Sequence, residues 1–189
     1  MNSRVLRALL IVSLFVLISL GANAKNKPMP PLDVVQSVDL ARYAGTWYEI
    51  VRLPNWFQKR CTGDVTATYT LLDDGTIRVV NTCMKVNGHI EKAEGLAKQA
   101  DKNGPSTKLR VRFAPKVLSF LPFVWGDYWI IDLAADYSYA VIGDPDRKYL
   151  WVLSRTSTMD ESTLQSILDQ VKQKGFELAG LIRTKQTDK

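Results

Sequence analysis

The chain has 189 residues, of which 46% are hydrophobic and 23% are charged, and its formal net charge is +6 at pH 7. This composition is typical of one globular domain, and it excludes disordered, collagen-like and coiled-coil chains. The basic residues are scattered and form no stripe with interleaved aromatic residues, so we expect no nucleic-acid partner.

The first 24 residues have the pattern of a cleaved signal peptide. Arg4 and Arg7 precede an apolar run over residues 8–20, and Ala22-Asn23-Ala24 supplies the small residues that a signal peptidase recognises. The run is shorter than the roughly 20 residues of a membrane-spanning helix, although an uncleaved N-terminal anchor is the alternative. No cysteine precedes Cys61, so we expect no lipid-modified N-terminal cysteine. The expected location is the periplasm or the medium, with outer-membrane association left open.

The rest of the chain reads as a short arm followed by strands. Prolines within residues 25–38 predict an extended arm, and Asp39 can cap one helical turn. From Gly45 onward, apolar and polar residues alternate between turn signals, which is typical of an antiparallel meander. Eight strands are predicted, at residues 47–52, 65–71, 78–86, 90–98, 108–113, 128–133, 139–143 and 149–154. Such a meander hides its edges by closing into a barrel.

One segment, residues 159–176, has helical periodicity. Its apolar residues follow the spacing of an amphipathic helix: Leu164, Ile167, Leu168 and Val171. Asp160 or Thr158 can cap its start, and Gly175 stands where a C-terminal glycine belongs. The predicted fold class is therefore all-β, with residues 39–189 forming an eight-stranded antiparallel up-and-down barrel and one C-terminal α-helix packed outside.

The two cysteines, Cys61 and Cys83, are expected to form a disulfide in an exported chain, with free thiols as the alternative. The turn at residues 73–75 sets a strand register in which the two are out of step. We therefore expect Cys61 to lie in a loop that curls back. The chain has one histidine, His89, and no cysteine pair at zinc-ligand spacing, so we predict neither a metal nor a cofactor.

Three blocks of sequence resemble the signatures of the lipocalin family. Gly45-Thr46-Trp47-Tyr48 is similar to its Gly-x-Trp motif, residues 136–140 are similar to its second block, and residues 153–156 are similar to its third. Residues 45–53, 65–70 and 149–158 further resemble the bacterial, apolipoprotein D-like branch. The resemblance covers residues 39–184 and implies a barrel that binds a hydrophobic ligand. Many bacterial members carry a lipid-modified cysteine at the cleavage site, which is absent here, so their membrane anchor is not carried over.

The predicted barrel has a closed end and a lumen. Trp47 opens the first strand beside Gly45, and Arg155 follows the last strand, so we expect the guanidinium to stack on the indole and close the barrel. Alternation predicts ten cavity-lining residues: Ala67, Tyr69, Ile77, Val79, Asn81, Tyr128, Ile142, Tyr149, Trp151 and Leu153. A mostly apolar lining with a few hydroxyl and amide groups suits one amphiphilic ligand, and the alternative is a packed interior.

Two apolar loops, residues 53–57 and 117–125, are predicted at the open end of the barrel. Their aromatic residues form the expected cavity mouth: Trp56, Phe57, Phe120, Phe123 and Trp125. Exposed apolar surface of this size marks a ligand entrance, a partner or a membrane contact, unless the loops fold back and plug the barrel. Peripheral membrane contact and a homodimer are both left open.

We expect a protein that is not an enzyme and that binds or transports a lipid, such as a fatty acid or a lysophospholipid. Its expected setting is the bacterial cell envelope, with a role in membrane maintenance or stress. Four basic residues near the rim are candidates for an anionic headgroup, with an ordinary solvated surface charge as the alternative for each: Arg52, Lys59, Arg60 and Lys116. The alternatives are an enzyme with Cys83 as nucleophile, for which no base is evident, and a haem or tetrapyrrole binder, for which His89 is a poor ligand.

Overall fold

All eight predicted strands are present in the computed structural model, which describes residues 29–187. The predicted signal peptide lies outside the described residues. The strands are β1 (Gly45–Arg52), β2 (Cys61–Leu71), β3 (Ile77–Lys85), β4 (Ile90–Gln99), β5 (Lys108–Arg112), β6 (Gly126–Leu133), β7 (Tyr139–Gly143) and β8 (Leu150–Ser154). A helical turn, α1 (Leu40–Tyr43), precedes β1, and helix α2 (Glu161–Gln173) follows β8.

The eight strands form a closed antiparallel barrel. Each strand pairs with the next along the chain, and β1 completes the ring by pairing with both β8 and β2. Closure therefore gives every strand of the ring a neighbour on both sides along at least part of its length, as the edge argument predicts. The connections at residues 53–60, 86–89, 113–125 and 144–149 lie at one end, which we call the open end. Turn α1 and the connections at 72–76, 100–107, 134–138 and 155–160 lie at the other, which we call the closed end.

A ninth strand, β9 (Ile182–Arg183), was not predicted from the sequence. It pairs with Val51 and Arg52 of β1, whereas β2 pairs with β1 nearer the closed end, over Gly45–Tyr48. Beyond β9, the side-chain amide of Gln186 donates to the backbone oxygens of Glu49 and Val65, at 2.8 and 3.0 Å. The C-terminal segment thus fills the gap where β1 and β2 diverge. Two residues are too few to show strand periodicity, which is why this element was missed.

Apolar side chains form one layer inside the barrel and a second layer between the barrel and α2. The predicted stripe of Leu164, Ile167, Leu168 and Val171 is buried against outward-facing residues that include Leu150 and Val152. Asp160 caps the helix by accepting a hydrogen bond from the backbone N–H of Thr163 at 3.0 Å. Gly175 follows the helix with a φ of +88°, a conformation that glycine adopts most easily. The predicted helix and its position outside the barrel are confirmed.

The predicted disulfide between Cys61 and Cys83 is present, with a Cα–Cα distance of 5.5 Å. The expectation that Cys61 lies in a loop is wrong, because Cys61 is the first residue of β2. The register of β2 against β3 shifts between Thr66 and Gly63 and again between Gly63 and Cys61. These irregularities bring the cysteines within bridging distance while both remain in strands.

The N-terminal arm has no helix or strand between residues 31 and 39, and it packs at two points. Leu32 is buried in the outer apolar layer, and Val38 is buried in the inner one. Between them, the backbone N–H of Val35 donates to the carbonyl oxygen of Ile130 at 3.1 Å. At the end of the arm, Asp39 caps α1 as predicted. Within residues 29–187, no helix is long and apolar enough to cross a membrane.

Candidate functional site

Most of the predicted cavity-lining residues lie together on the inner face of the barrel. Five are buried members of the inner apolar layer: Tyr69, Ile77, Val79, Ile142 and Leu153. Three pack against that layer and are only half-buried: Ala67, Tyr128 and Trp151. Asn81 faces Ala67 across the β2–β3 ladder, so strand alternation places it on the same inner face.

Tyr149 lies at the open end of the barrel and is not part of the inner apolar layer. Its ring stacks on Trp151, with ring centres 5.9 Å apart, and its centre lies 5.8 Å from that of Phe57. The rings of Phe57 and Trp151 are also neighbours, at 6.2 Å. Loop 53–60 therefore reaches the top of the lumen through Phe57, and these three rings define one side of its mouth.

The predicted mouth residues separate into two groups. Trp56, Phe120 and Phe123 are 72%, 76% and 78% exposed at the open end, where Phe57 is half exposed. Trp125 is not with them, because its ring packs against Lys98 and Arg112 at 4.3 and 5.2 Å. Lys98 and Arg112 adjoin the inward-facing Ala97 and Val111 along their strands, so alternation directs both of them to the outer wall.

Three tyrosine hydroxyls meet inside the barrel, toward its closed end. The Tyr128 hydroxyl lies 2.7 Å from that of Tyr43 and 2.9 Å from that of Tyr69. Burial raises the pKa of Tyr69 to about 12 and raises the pKa of Tyr43 and Tyr128 well above the usual value of tyrosine. The cluster is therefore uncharged at physiological pH. Tyr43 was not among the predicted lining residues, because it precedes the first strand.

A buried ion pair lies on the inner face of β1, and sequence reasoning missed it. The Arg52 guanidinium lies 2.6 Å from the Glu49 carboxylate, and the Gln58 amide donates to the second carboxylate oxygen at 2.7 Å. The Trp151 indole in turn donates to Gln58 at 2.9 Å. A register shift between Glu49 and Val51 places both charged residues opposite inward-facing residues of β8. Arg52 is therefore a buried wall residue, and its suggested role as a free rim cation is wrong.

The predicted closure contact is present at the other end of β1. The guanidinium carbon of Arg155 lies 3.8 Å from the centre of the fully buried Trp47 ring. The same guanidinium donates hydrogen bonds to four backbone oxygens, on residues 42, 43, 44 and 46. Gly45 has a φ of +98°, and a Cβ there would lie 3.2 Å from the guanidinium. Glycine thus satisfies both the backbone conformation and the close approach.

Two inner-face residues near the mouth were also missed. Phe113 continues the inward alternation of Leu109 and Val111, and its ring lies where a side chain on Gly95 would project, 2.7 Å from an added Cβ. Gly95 faces Val79 across the β3–β4 ladder, which places it on the inner face. The absent side chain therefore makes room for the phenyl ring. If the inward alternation of Leu109 and Val111 is continued one residue past the end of β5, it predicts that Phe113 also faces inward.

The enzyme and haem-binding alternatives depend on Cys83 and His89, and neither residue is placed as those functions require. The thiol of Cys83 is consumed by the disulfide, so it is no nucleophile in this state. His89 is exposed in the connection between β3 and β4. Among residues 29–187, no three His, Cys, Asp or Glu side chains are grouped so that they could hold a metal ion.

Comparison with known proteins agrees with this architecture. Residues 38–186 match the profile of the lipocalin-like domain. Temperature-induced lipocalin-1 of Arabidopsis thaliana is 41% identical over 158 residues, covering 83% of this chain and 84% of the relative. Outer membrane lipoprotein Blc of Citrobacter freundii is 42% identical over 166 residues, covering 86% and 89%. Apolipoprotein D of Rattus norvegicus is 34% identical over 146 residues, covering 72% and 70%.

Solved structures show the same fold at lower sequence identity. Insecticyanin from the tobacco hornworm Manduca sexta superposes with a TM-score of 0.65 at 22% identity, covering 84% of this chain and 86% of that one. Lobster apocrustacyanin A1 superposes with a TM-score of 0.62 at 16% identity, covering 87% and 94%.

A closed eight-stranded barrel with a largely apolar inner face and one external helix defines a lipocalin-type binding protein. The chain belongs to the lipocalin family, in the branch that contains the bacterial Blc lipocalins and apolipoprotein D.

Proposed function

We propose that this lipocalin binds a fatty acid, a lysophospholipid or a similar amphiphile inside its barrel. The observation that carries the proposal is the partial exposure of inward-facing residues. In a filled barrel such side chains are fully buried, yet Ala67, Asn81, Tyr128 and Trp151 are only half-buried. We infer from this exposure that space remains beside them within the ring of strands, and an eight-stranded barrel is wide enough for one small ligand.

The chemistry of the inner face suits a ligand with a long apolar part. Ala67, Tyr128 and Trp151 supply the partly exposed and mainly apolar surface, and burial of a hydrocarbon chain against it contributes about 25 cal/mol per Å² before association costs. The buried side chains of the inner layer pack behind them. One polar atom is notable, because the buried side-chain oxygen of Asn81 has no hydrogen-bond partner among the described residues. A hydroxyl or amide N–H of a ligand would satisfy it.

The setting we propose is the cell envelope or the extracellular space. The signal-peptide pattern of residues 1–24 supports export, and a disulfide persists in oxidising compartments. Several bacterial relatives are named outer membrane lipoproteins. Lipid transport for membrane maintenance or under stress is the role we propose for such a carrier, and we propose no catalytic step.

The direct test is to identify what the protein carries. Protein purified from cells without detergent is extracted with organic solvent, and the extract is analysed by mass spectrometry. We expect a fatty acid or lysophospholipid at up to one molecule per barrel. The stripped protein should then bind the same lipid with saturable, one-to-one stoichiometry. Stripped protein that binds no such lipid would contradict the proposal.

A further inference from the structure

Exposed apolar side chains are concentrated at one end of the barrel. Within residues 31–187, ten large hydrophobic residues are exposed, and nine of them lie in open-end connections or at the adjoining strand ends. We call these nine the apolar rim: Trp56, Phe57, Val86, Ile90, Phe113, Val117, Leu118, Phe120 and Phe123. The tenth, Leu71, ends β2 at the closed end. Such concentration of exposed apolar surface marks an interaction site.

Hydrogen bonds and short helices within loop 113–125 hold its exposed apolar residues in solvent. Loop 113–125 contains two single-turn 3₁₀ helices, Lys116–Leu118 and Pro122–Val124. The Trp125 indole, packed against cations of the outer wall, donates to the carbonyl oxygen of Ser119 at 2.8 Å. Phe120 and Phe123 project from this braced loop into solvent. The ordered conformation of the loop therefore keeps these two rings exposed.

Charge is distributed along the same axis. The open-end connections contain five basic and two acidic residues, whereas α1 and the closed-end connections, with the cap Asp39, contain three basic and six acidic ones. The two loops that carry most of the rim, 53–60 and 113–125, contain Lys59, Arg60 and Lys116 and no acidic residue. By connectivity, the open end is thus both apolar and basic, and the closed end is acidic. Lys116 also interacts electrostatically with Asp74 of the closed-end turn, so Lys59 and Arg60 are the basic residues that we assign to the rim itself.

We propose that the apolar rim docks on an anionic lipid bilayer, with the open end of the barrel facing the membrane. Aromatic and aliphatic side chains insert at the interface, where neighbouring lysine and arginine side chains meet anionic headgroups. The acidic closed end faces away from the negative surface. A second copy of the chain fits less well, because two rims of the same positive charge would face each other. Docking in this direction places the mouth of the lumen against the lipid.

The test is flotation with vesicles of phosphatidylcholine alone or of phosphatidylcholine with phosphatidylglycerol. Wild type and variants are used as recovered from cells, with the same N-terminus in each, and thermal melts check that each is folded. We expect wild type to float with the anionic vesicles. The Phe120→Ser/Phe123→Ser variant should lose at least roughly tenfold in partitioning, whereas the matched closed-end variant Leu71→Ser should bind like wild type.

A charge variant and a lumen variant complete the test. Lys59→Glu/Arg60→Glu, at two exposed positions of loop 53–60, should lower binding to anionic vesicles roughly tenfold or more and leave binding to phosphatidylcholine nearly unchanged. Ala67→Trp, which obstructs the lumen, should still dock, so failure of ligand binding is distinguishable from failure of docking. Equal flotation of wild type and Phe120→Ser/Phe123→Ser would overturn the proposal. So would self-association of wild type that disappears in that variant without any vesicle binding.

Discussion

Arg155 lies over the Trp47 ring at 3.8 Å and also hydrogen-bonds four backbone oxygens that surround the start of β1. One side chain therefore connects the residue after the last barrel strand to the turn before the first. Trp47 belongs to the inner layer but is fully buried there, so we expect the contact to stabilise the barrel and to leave binding to other residues.

Arg155→Ala should therefore destabilise the protein without removing the ligand site. Loss of the cation–π contact and of charged hydrogen bonds should lower the free energy of unfolding by about 2–4 kcal/mol. At about 2–4 °C per kcal/mol for a chain of this size, the Tm should fall by about 4–16 °C. Arg78→Ala, at an exposed position of β3, is the control and should change the Tm little. Loss of lipid stoichiometry at unaltered Tm would mean that the role of Arg155 is misassigned.

The disulfide should contribute to stability through the loop that it closes. Cys61 and Cys83 are separated by 22 residues, and closing a loop of this length stabilises by roughly 3 kcal/mol in the chain-entropy model. Native, unreduced protein should show no alkylatable thiol by mass spectrometry, and reduction should expose two. The Cys61→Ala/Cys83→Ala variant should melt below wild type and should no longer respond to reductant. Two reactive thiols in the unreduced native protein would refute the assignment.

The tyrosine cluster predicts a loss of stability at alkaline pH. Tyr43, Tyr69 and Tyr128 have pKa values raised in the folded state, chiefly by burial, and that of Tyr69 is about 12. A folded pKa above the unfolded value near 10 means that the unfolded state loses its protons first. The stabilisation is therefore complete below pH 10, and it is lost as the pH rises toward 12.

Absorbance of the phenolate ions measures this effect. The chain has seven tyrosines. Of the three in the cluster, Tyr69 should ionise only near pH 12, and Tyr43 and Tyr128 only well above the usual pKa of tyrosine, unless the protein unfolds first. In Tyr128→Phe, the alkaline fall in the free energy of unfolding should be smaller than in wild type, since one buried hydroxyl is gone. If all seven tyrosines titrated together near pH 10 in folded protein, the hydroxyls would be exposed to solvent and the cluster would not exist as described.

Strand alternation located the inner face wherever the register is unbroken. From Thr66 to Leu71, each residue of β2 pairs in step with β3, so Ala67 and Tyr69 could be placed from the sequence alone. Alternation from Trp47 would place Arg52 on the outer face, but a bulge in β1 turns its side chain inward. A bulge depends on contacts with the neighbouring strand, and those contacts are not written in the local pattern.

Elements without periodicity were the least predictable. β9 has two residues and is held by pairing with distant Val51 and Arg52. Trp125 was grouped with the other apolar residues of its loop, yet Lys98 and Arg112 draw its ring to the outer wall through cation–π contacts. Both outcomes depend on partners far away in the sequence. The eight strands of the barrel could therefore be predicted from the sequence. The pairing of β9 with β1 and the position of the Trp125 ring could not.

Ala67 offers the sharpest test of the lumen. It lies between Trp47 and Asn81 on neighbouring strands, faces inward and is half-buried. In a packed core, a larger side chain here would cost about 1–3 kcal/mol of overpacking strain. If the space beside it holds a lipid chain, Ala67→Trp should retain most of its stability. Its affinity for a fatty acid or lysophospholipid should fall at least roughly tenfold, or about 1.4 kcal/mol, measured by titration of stripped protein.

Thr68→Trp is the matched control, because it introduces the same side chain one residue along. Thr68 faces outward, where its hydroxyl lies 3.0 Å from that of Thr46 at an exposed site. An indole there should leave lipid affinity within about twofold of wild type, since it remains outside the barrel wall. If Thr68→Trp abolished binding and Ala67→Trp did not, the ligand would lie outside the barrel. A large loss of stability in Ala67→Trp would instead show that the interior is already filled.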